Sequence, residues 1–515
     1  MPINFRKIPI GTREPSKGIS LACLTLNNWD DFSYKSLFYL TVFDEKGEKV
    51  DIGNVKIGYI GQTTGWTEKE IALQFENLGS RFFSLGQDSE YYENIINNLT
   101  PPLGKQVLES LNDIVHNSKL LDIAEKEDVY STSLLRGVSV NSIKNQFKRI
   151  LLGDAPLTKF HFSYSKSPSS HYSGIDLHFN VEPNSKPATN VHILIGRNGV
   201  GKTTLLNNIV SSVVDLEKSQ DETGTVSDTS SYKERVIKND YFSSVISVAF
   251  SAFDPFNPPE DQIDRSKGTC FYYVGLKNVV ENDGEKTTTL KNRLHLKQDF
   301  INSLKSCFSI KRKKERWINA IETLESDENF AQMHLCELTN IEDQGDLSKI
   351  ARKLYSRMSS GHAIVLLSVT KLIELVEEKT LVLMDEPESH LHPPLLSAFI
   401  RALSDLLYTR NGVAIIATHS PVVLQEVPMS CVWKLFRNQL VGKTERLERE
   451  TFGENVGTLT REVFGLEVIK SGFHRLLQES VAKGHDYDEI LEEYNNQLGF
   501  EGKAILRALI ANRDQ

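Results

Sequence analysis

Residues 191–210 read VHILIGRNGVGKTTLLNNIV, an apolar run entering a turn with the spacing G-x-x-x-x-G-K-[ST]. Gly196, Gly199 and Gly201 let backbone N–H groups close around a phosphate without side-chain obstruction. Asn198 lies inside that turn. Lys202 supplies a point charge for β- and γ-phosphates, and Thr203 offers a hydroxyl to Mg²⁺. Thr204 follows in the first turn of an apolar helix whose positive dipole end adds to the anion site. A chance glycine turn is the alternative, and the flanking strand and helix weigh against it. The segment therefore points to a nucleoside triphosphate.

Residues 381–390, LVLMDEPESH, supply the complementary acids. Four apolar residues ending in Asp385 describe a buried parallel strand whose C-terminal end meets a ligand. Asp385 would hold Mg²⁺ through water, and Glu386 would act one step further on as general base for an attacking water. Neighbouring carboxylates raise each other's proton affinity, which suits a base. An isolated acidic pair after a strand reads more simply as a solvated strand end; Pro387 and the position downstream of Lys202 favour function. Before this strand, RMSSGHA (357–363) opens an apolar helix, and small hydroxyls with a glycine at a helix start make a second anion site. After it, VAIIATHSP places His419 at another strand tip, where an imidazole can bond a γ-phosphate and the attacking water.

The ordered series resembles the ATP-binding-cassette ATPases, in the branch holding the RecF, SMC and OLD proteins. MSSGH stands where that family has LSSGQ, so His362 replaces a glutamine and Met358 a leucine; DEPESHLHP (385–393) is close to the OLD form. The resemblance implies ATP and Mg²⁺ as cofactors, and head-to-tail dimers or higher oligomers. In these, Ser359, Ser360 and Gly361 of one copy would close on the nucleotide held by Lys202 of another. The glutamine expected between the phosphate loop and the signature is missing: VISVAFSAFDPF offers Ser251 and Asp254, and Gln262 follows a Pro-Pro pair.

Further segments are similar to the ATPase subunit of the Septu anti-phage system, also found with some retrons. They are LNNWDDF (26–32), FSAFD (250–254), DEPESHLHPPLLSAFIRAL (385–403), ATHSPVVLQEVP (417–428), TFGENVGTLTREVFGLE (451–467) and LGFEGKAILRALI (498–510). That likeness implies an ATPase regulating a separate HNH nuclease, with DNA, RNA or a retron reverse transcriptase and its nucleic acid as further partners. A RecF-like DNA-repair ATPase and an ATP-binding scaffold with negligible turnover are the alternatives. His390 and His392 belong to the loop after the acidic strand rather than to a metal site.

The elements that must position these residues imply an α/β fold: a P-loop ABC-type ATPase head with a β-meander, helical insertions and a helical C-terminal extension. The expected divisions are a β-rich part of the head at 1–66, a helical insert at 67–152 and the ATPase core at 153–430. The core carries insertions at 215–240 and 260–350, and a partner-binding extension follows at 431–515. TEKEIALQFENL, GKQVLESLNDIVHN and NSIKNQFKRILL carry helical periodicity, with Pro101-Pro102 as a break. The polar tract at 217–236 reads as an exposed insertion. Aromatic candidates for an adenine platform are Phe162, Tyr164 and Tyr172.

Composition narrows the partners. With 59 Lys and Arg against 68 Asp and Glu, the net charge of −9 excludes coating of nucleic acid by bulk charge. The dense basic cluster is KRKKERW (311–317), which reads equally as a nucleic-acid grip with a stacking Trp or as a solvated helix face. Five scattered cysteines form no CxxC pair, no secretory pattern opens the chain, and no apolar run is long enough to span a membrane. A cytoplasmic, reducing location is expected.

Overall fold

The computed structural model describes residues 2–514 apart from 155–156, 169–173, 216–218, 239–240, 252–255, 265–268, 283–284, 439–440 and 471. At its centre is a seven-stranded sheet. Its order is Cys270–Gly275, Ser244–Ala249, Thr380–Asp385, Val413–Thr418, Val191–Gly196, Val432–Asn438 and Val441–Glu445. All neighbours are parallel except the last pair. The central strands are mostly apolar because both faces are covered. Ile193, Val382, Met384 and Ile416 face one core; Leu194, Leu381, Leu383 and Ile415 face another. Helices Arg293–Ser309, Lys311–Leu324, Ser360–Leu375 and Pro393–Arg410 close the first. In the second, helix Lys202–Val214 is packed between this sheet and a four-stranded antiparallel sheet built on Phe160–Lys166 and Ile175–Val181. The expected α/β class holds.

Residues 3–150 bury a separate core. Its six-stranded sheet runs Gln74–Phe75, Asn4–Ile8, Leu21–Leu26, Leu37–Phe43, Lys49–Tyr59 and Phe82–Gly86. Two of these strands fall inside the stretch expected to be helical. TEKEIALQFENL forms only the 3₁₀ turn Thr67–Glu70 before Gln74–Phe75 joins the sheet edge. Lys7 Nζ donates to the Glu68 and Ile71 carbonyls at 2.6 and 2.8 Å, and Phe75 stacks on Phe5 with centroids 5.1 Å apart. Those edge contacts outweigh the local periodicity. Pro101 and Pro102 form the first turn of helix Pro101–Ser110, where a missing N–H costs nothing. The polar tract is also not wholly an exposed insertion: Thr225–Asp228 pairs with Phe160–Lys166 and Val226 is buried. The tail completes the central sheet with two strands before helices Val456–Lys470, Gly472–Ala482, Tyr487–Glu493 and Phe500–Arg513.

The basic cluster at 311–317 is solvated only in part: Lys311 and Arg312 are part-exposed, whereas Lys313, Arg316 and Trp317 turn inward. It opens helix Lys311–Leu324, which joins the N-terminal unit to the helices over the central sheet. Trp317 is 0 % exposed and its indole N–H donates to Thr370 Oγ1 at 3.0 Å. Lys313 is buried and donates to the Glu374 carbonyl at 2.7 Å. Arg316 pairs with Asp88 at 2.7 Å and Glu90 at 3.0 Å, and Arg410 reaches the other oxygen of Asp88 at 2.9 Å. Burial pushes the Asp88 carboxyl up, but Arg316 and Arg410 together hold it far below the usual carboxylate range. A base could not stack on an indole with no exposed surface. The local sequence concealed this because the packing partners come from other helices, Arg293–Ser309, Ser360–Leu375 and Pro393–Arg410.

Candidate nucleotide site

Parallel pairing places the ends of three strands in one row. Ile195 lies opposite Thr418, and Asp385 opposite Ala417. The phosphate loop, the acids and His419 therefore emerge side by side at the C-terminal edge, where open α/β sheets bind ligands. In the loop, Arg197, Asn198 and Gly199 are exposed. Gly199 and Gly201 have φ of +80° and +96°, a left-handed backbone that glycine adopts without a Cβ penalty. Gly201 caps helix Lys202–Val214, and Thr204 is exposed in its first turn.

Lys202 Nζ donates to the carbonyls of Gly196 and Arg197 at 3.0 and 3.1 Å, which holds the ammonium inside the loop. Burial pushes its pKa down, while Glu386, Asp385 and Glu388 act in the opposite direction. Thr203 Oγ1 donates to Asp385 Oδ2 at 2.8 Å. A hydroxyl and a carboxylate converging beside a phosphate loop are the hard oxygen donors that Mg²⁺ favours, with phosphates and water completing its octahedron. The donor chemistry fits that ion.

Glu386 adopts φ 45° and ψ 58°, and its N–H donates to the Ala417 carbonyl at 2.9 Å. Left-handed backbone at a non-glycine residue that is neither Asn nor Asp costs free energy. The turn leaves the Glu386 side chain part-exposed with Oε1 3.7 Å from His419 Nδ1. A second carboxylate, not singled out from the sequence, lies nearer. Glu388 Oε1 accepts from Thr418 Oγ1 at 2.6 Å and His419 N at 2.8 Å, and is 3.1 Å from His419 Nδ1. Its position as a further acid in DEPES was the available signal.

The signature segment lies at the start of helix Ser360–Leu375. Ser359 and Ser360 are exposed, whereas Met358 is buried in the core. Gly361 is buried, and a Cβ there would come within 2.4 Å of the His390 carbonyl. Its glycine thus has a packing reason besides any contact with nucleotide. His362 Nε2 is 3.1 Å from Asp327 Oδ1, and His392 Nε2 is 3.0 Å from Asp327 Oδ2. Burial raises the Asp327 pKa, but the Phe330 N–H and the two histidines bring it below the ordinary range. Asp327, on the helical insertion, had no sequence signal; it ties the signature to the acidic loop. His390 Nε2 lies 3.3 Å from the Phe250 carbonyl.

Two of the aromatic candidates, Phe162 and Tyr164, do not line this site. Phe162 and Tyr164 are buried in the antiparallel sheet, with Phe162 packed on Phe179 at 5.0 Å and Tyr164 donating to the Thr223 carbonyl. Tyr172 and Asp254 lie outside the described residues. Gln262 uses its amide on the Asp264 backbone at 2.9 and 3.1 Å.

Comparison with known proteins bears on this geometry. Residues 284–425 match the family model described as AAA domain, putative AbiEii toxin, Type IV TA system. The chain is also 46% identical to Protein ea59 of Escherichia phage lambda over 531 residues, covering 100% of this chain and 99% of that protein. The chain belongs to the family of Protein ea59. Within the chain, residues 284–425 carry the likeness to an AAA domain. Solved structures overlay on it loosely. A nucleotide-free ATP-binding cassette from an ABC transporter gives TM-score 0.30 at 16% identity, covering 61% of this chain and 100% of that one. The SMC head domain from Thermotoga maritima gives TM-score 0.28 at 12%, covering 57% and 100%. The sheet order and loop geometry above define the fold independently of these overlays. Among the described residues, no helix of this ea59 relative is long and apolar enough to cross a membrane.

Proposed function

We propose that this chain binds ATP with Mg²⁺ and hydrolyses it, using two copies of the chain to complete the site. The observation that carries this reading is the 2.8 Å bond from Thr203 to Asp385, beside a buried Lys202. The N–H groups of residues 196–204 would receive the phosphates, with Lys202 neutralising the terminal ones. When bound, Mg²⁺ would be held by Thr203 and, through water, by Asp385, and would offset charge on the β- and γ-phosphates. Glu386 would take a proton from the attacking water, and His419 would bond the γ-phosphate. Ser359, Ser360 and Gly361 of a second copy would close the other side. Exposure of the two serines on a helix start supports this arrangement.

The finer reading is that ATP turnover in such a dimer controls a separate HNH nuclease in anti-phage defence. Its support is the likeness of the six segments quoted above to the Septu ATPase. A RecF-like repair role predicts recombination genes as neighbours instead. The test is ATP binding, ATP hydrolysis and sedimentation of the wild type, Lys202→Ala and Glu386→Gln, with copurification of the neighbouring gene product. Lys202→Ala should lose ATP binding, and Glu386→Gln should bind ATP and sediment as a dimer. Full ATP binding by Lys202→Ala would overturn the site. Equal sedimentation of Glu386→Gln with and without ATP would overturn the dimer. Binding without measurable turnover by the wild type would favour the scaffold.

A further inference from the structure

We propose that Glu388 is a positioning residue that fixes the His419 imidazole so that its Nε2 serves the terminal phosphate. This rests on the ATPase reading above and deepens it. The left-handed turn at Glu386 leads into the 3₁₀ turn Pro387–His390, which carries the Glu388 side chain back to the end of strand Val413–Thr418. There one oxygen, Oε1, engages the Thr418 hydroxyl, the His419 N–H and, at 3.1 Å, His419 Nδ1. The Thr418 hydroxyl in turn accepts from Ser420 N at 2.9 Å, so the residues on both sides of the imidazole are fixed.

Two features separate this carboxylate from an ordinary turn cap. Its side chain is 8 % exposed, and Oε2 is buried with no hydrogen-bond partner. A buried carboxylate with one oxygen unsatisfied is costly, and capping alone needs only a neutral acceptor. Second, His419 Nδ1 lies 3.1 Å from Glu388 Oε1 but 3.7 Å from Glu386 Oε1, beyond hydrogen-bond reach. Nδ1 is thus the ring nitrogen next to Glu388, and in the proposed arrangement it carries the proton and Nε2 is left for a ligand. The two acids divide the work. Glu388 orients the histidine, and Glu386 stays available to the attacking water. A carboxylate holding one ring nitrogen so that the other can act is how functional histidines are generally oriented.

The experiment measures kcat and KM for ATP in the full chain for wild type, Glu388→Ala, Glu388→Gln, His419→Ala and the Glu388→Ala/His419→Ala pair. Glu388→Ala should lower kcat about 10- to 100-fold with KM changed by less than about twofold. Glu388→Gln retains an acceptor oxygen and should recover part of the loss. In the His419→Ala background, Glu388→Ala should cost nothing further, because its effect runs through that ring. An additive loss, a change confined to KM, or wild-type kcat in Glu388→Ala would each overturn the proposal. A second measurement does not depend on turnover. In ¹⁵N-histidine spectra of the nucleotide-free chain, the His419 signal (identified by its loss in His419→Ala) should show a protonated Nδ1. That signature should change in Glu388→Ala and persist in Glu388→Gln. An unchanged His419 signal in Glu388→Ala overturns the proposal. If the wild type fails to hydrolyse ATP, the ATPase reading fails, and the spectra still decide what Glu388 does.

Discussion

Two parts of this molecule concentrate charge, and they treat it in opposite ways. At the seam between the N-terminal unit and helix Lys311–Leu324, Asp88 receives Arg316 on one oxygen and Arg410 on the other. Glu377 Oε2 accepts from Ser139 N and Ser142 Oγ, both at 2.8 Å. At the edge of the central sheet, Asp385, Glu386 and Glu388 gather around the single ammonium of Lys202. Charge satisfied within the chain builds structure, because leaving either partner alone in a low dielectric is costly. In the proposed reading, the acids beside the loop at 196–203 would share that balance with a bound nucleotide. Composition does not separate the two regions; both are made of Arg, Lys, Asp and Glu. Pairing does.

The comparison is most directly broken at its two centres. Glu386→Gln should reduce ATP turnover by about 10²- to 10⁴-fold while leaving thermal stability near wild type. A comparable loss of stability, read by differential scanning calorimetry, would place Glu386 with the structural charges instead. Asp88→Asn should destabilise the fold by about 3–5 kcal/mol, since Arg316 and Arg410 stay buried without their shared anion. Urea unfolding checks this, and a midpoint equal to that of the wild type would remove the seam as a structural pair.

Acid sharpens the contrast. Asp88 is held below its unfolded pKa, so its contribution to stability is present above the ordinary carboxylate range and is lost as pH falls through its folded value. Unfolding curves from pH 7 to pH 3 should therefore steepen in their pH dependence only towards the acid end. Asp88→Asn should flatten that dependence. The smallest effect belongs to Lys311, whose pairing with Asp51 at 3.2 Å lies half-exposed at the rim of the seam. Lys311→Ala should change stability by less than about 1 kcal/mol and lose even that difference in high salt.

The chemistry of the candidate site was written locally. Gly196 to Thr203 and Asp385-Glu386 are short motifs flanked by apolar strands, and each segment forms its element from its own sequence. His419 was legible for the same reason, at the end of VAIIAT. Glu388 and Asp327 were not, because what they do depends on partners far along the chain: His419 for one, His362 and His392 for the other.

The largest difference lies at residues 311–317. By itself the sequence determined that this stretch is a charged, amphipathic helix. Only the tertiary structure decided that its charges face Asp88, Glu90 and the Glu374 carbonyl rather than phosphates, and that Trp317 packs inside. The physical reason is one of range. Hydrogen-bond caps, glycine turns and strand patterns act over a few residues, whereas the partner of a buried charge is chosen by packing. Arg316 and Arg410 become neighbours of Asp88 only once two separate cores have met.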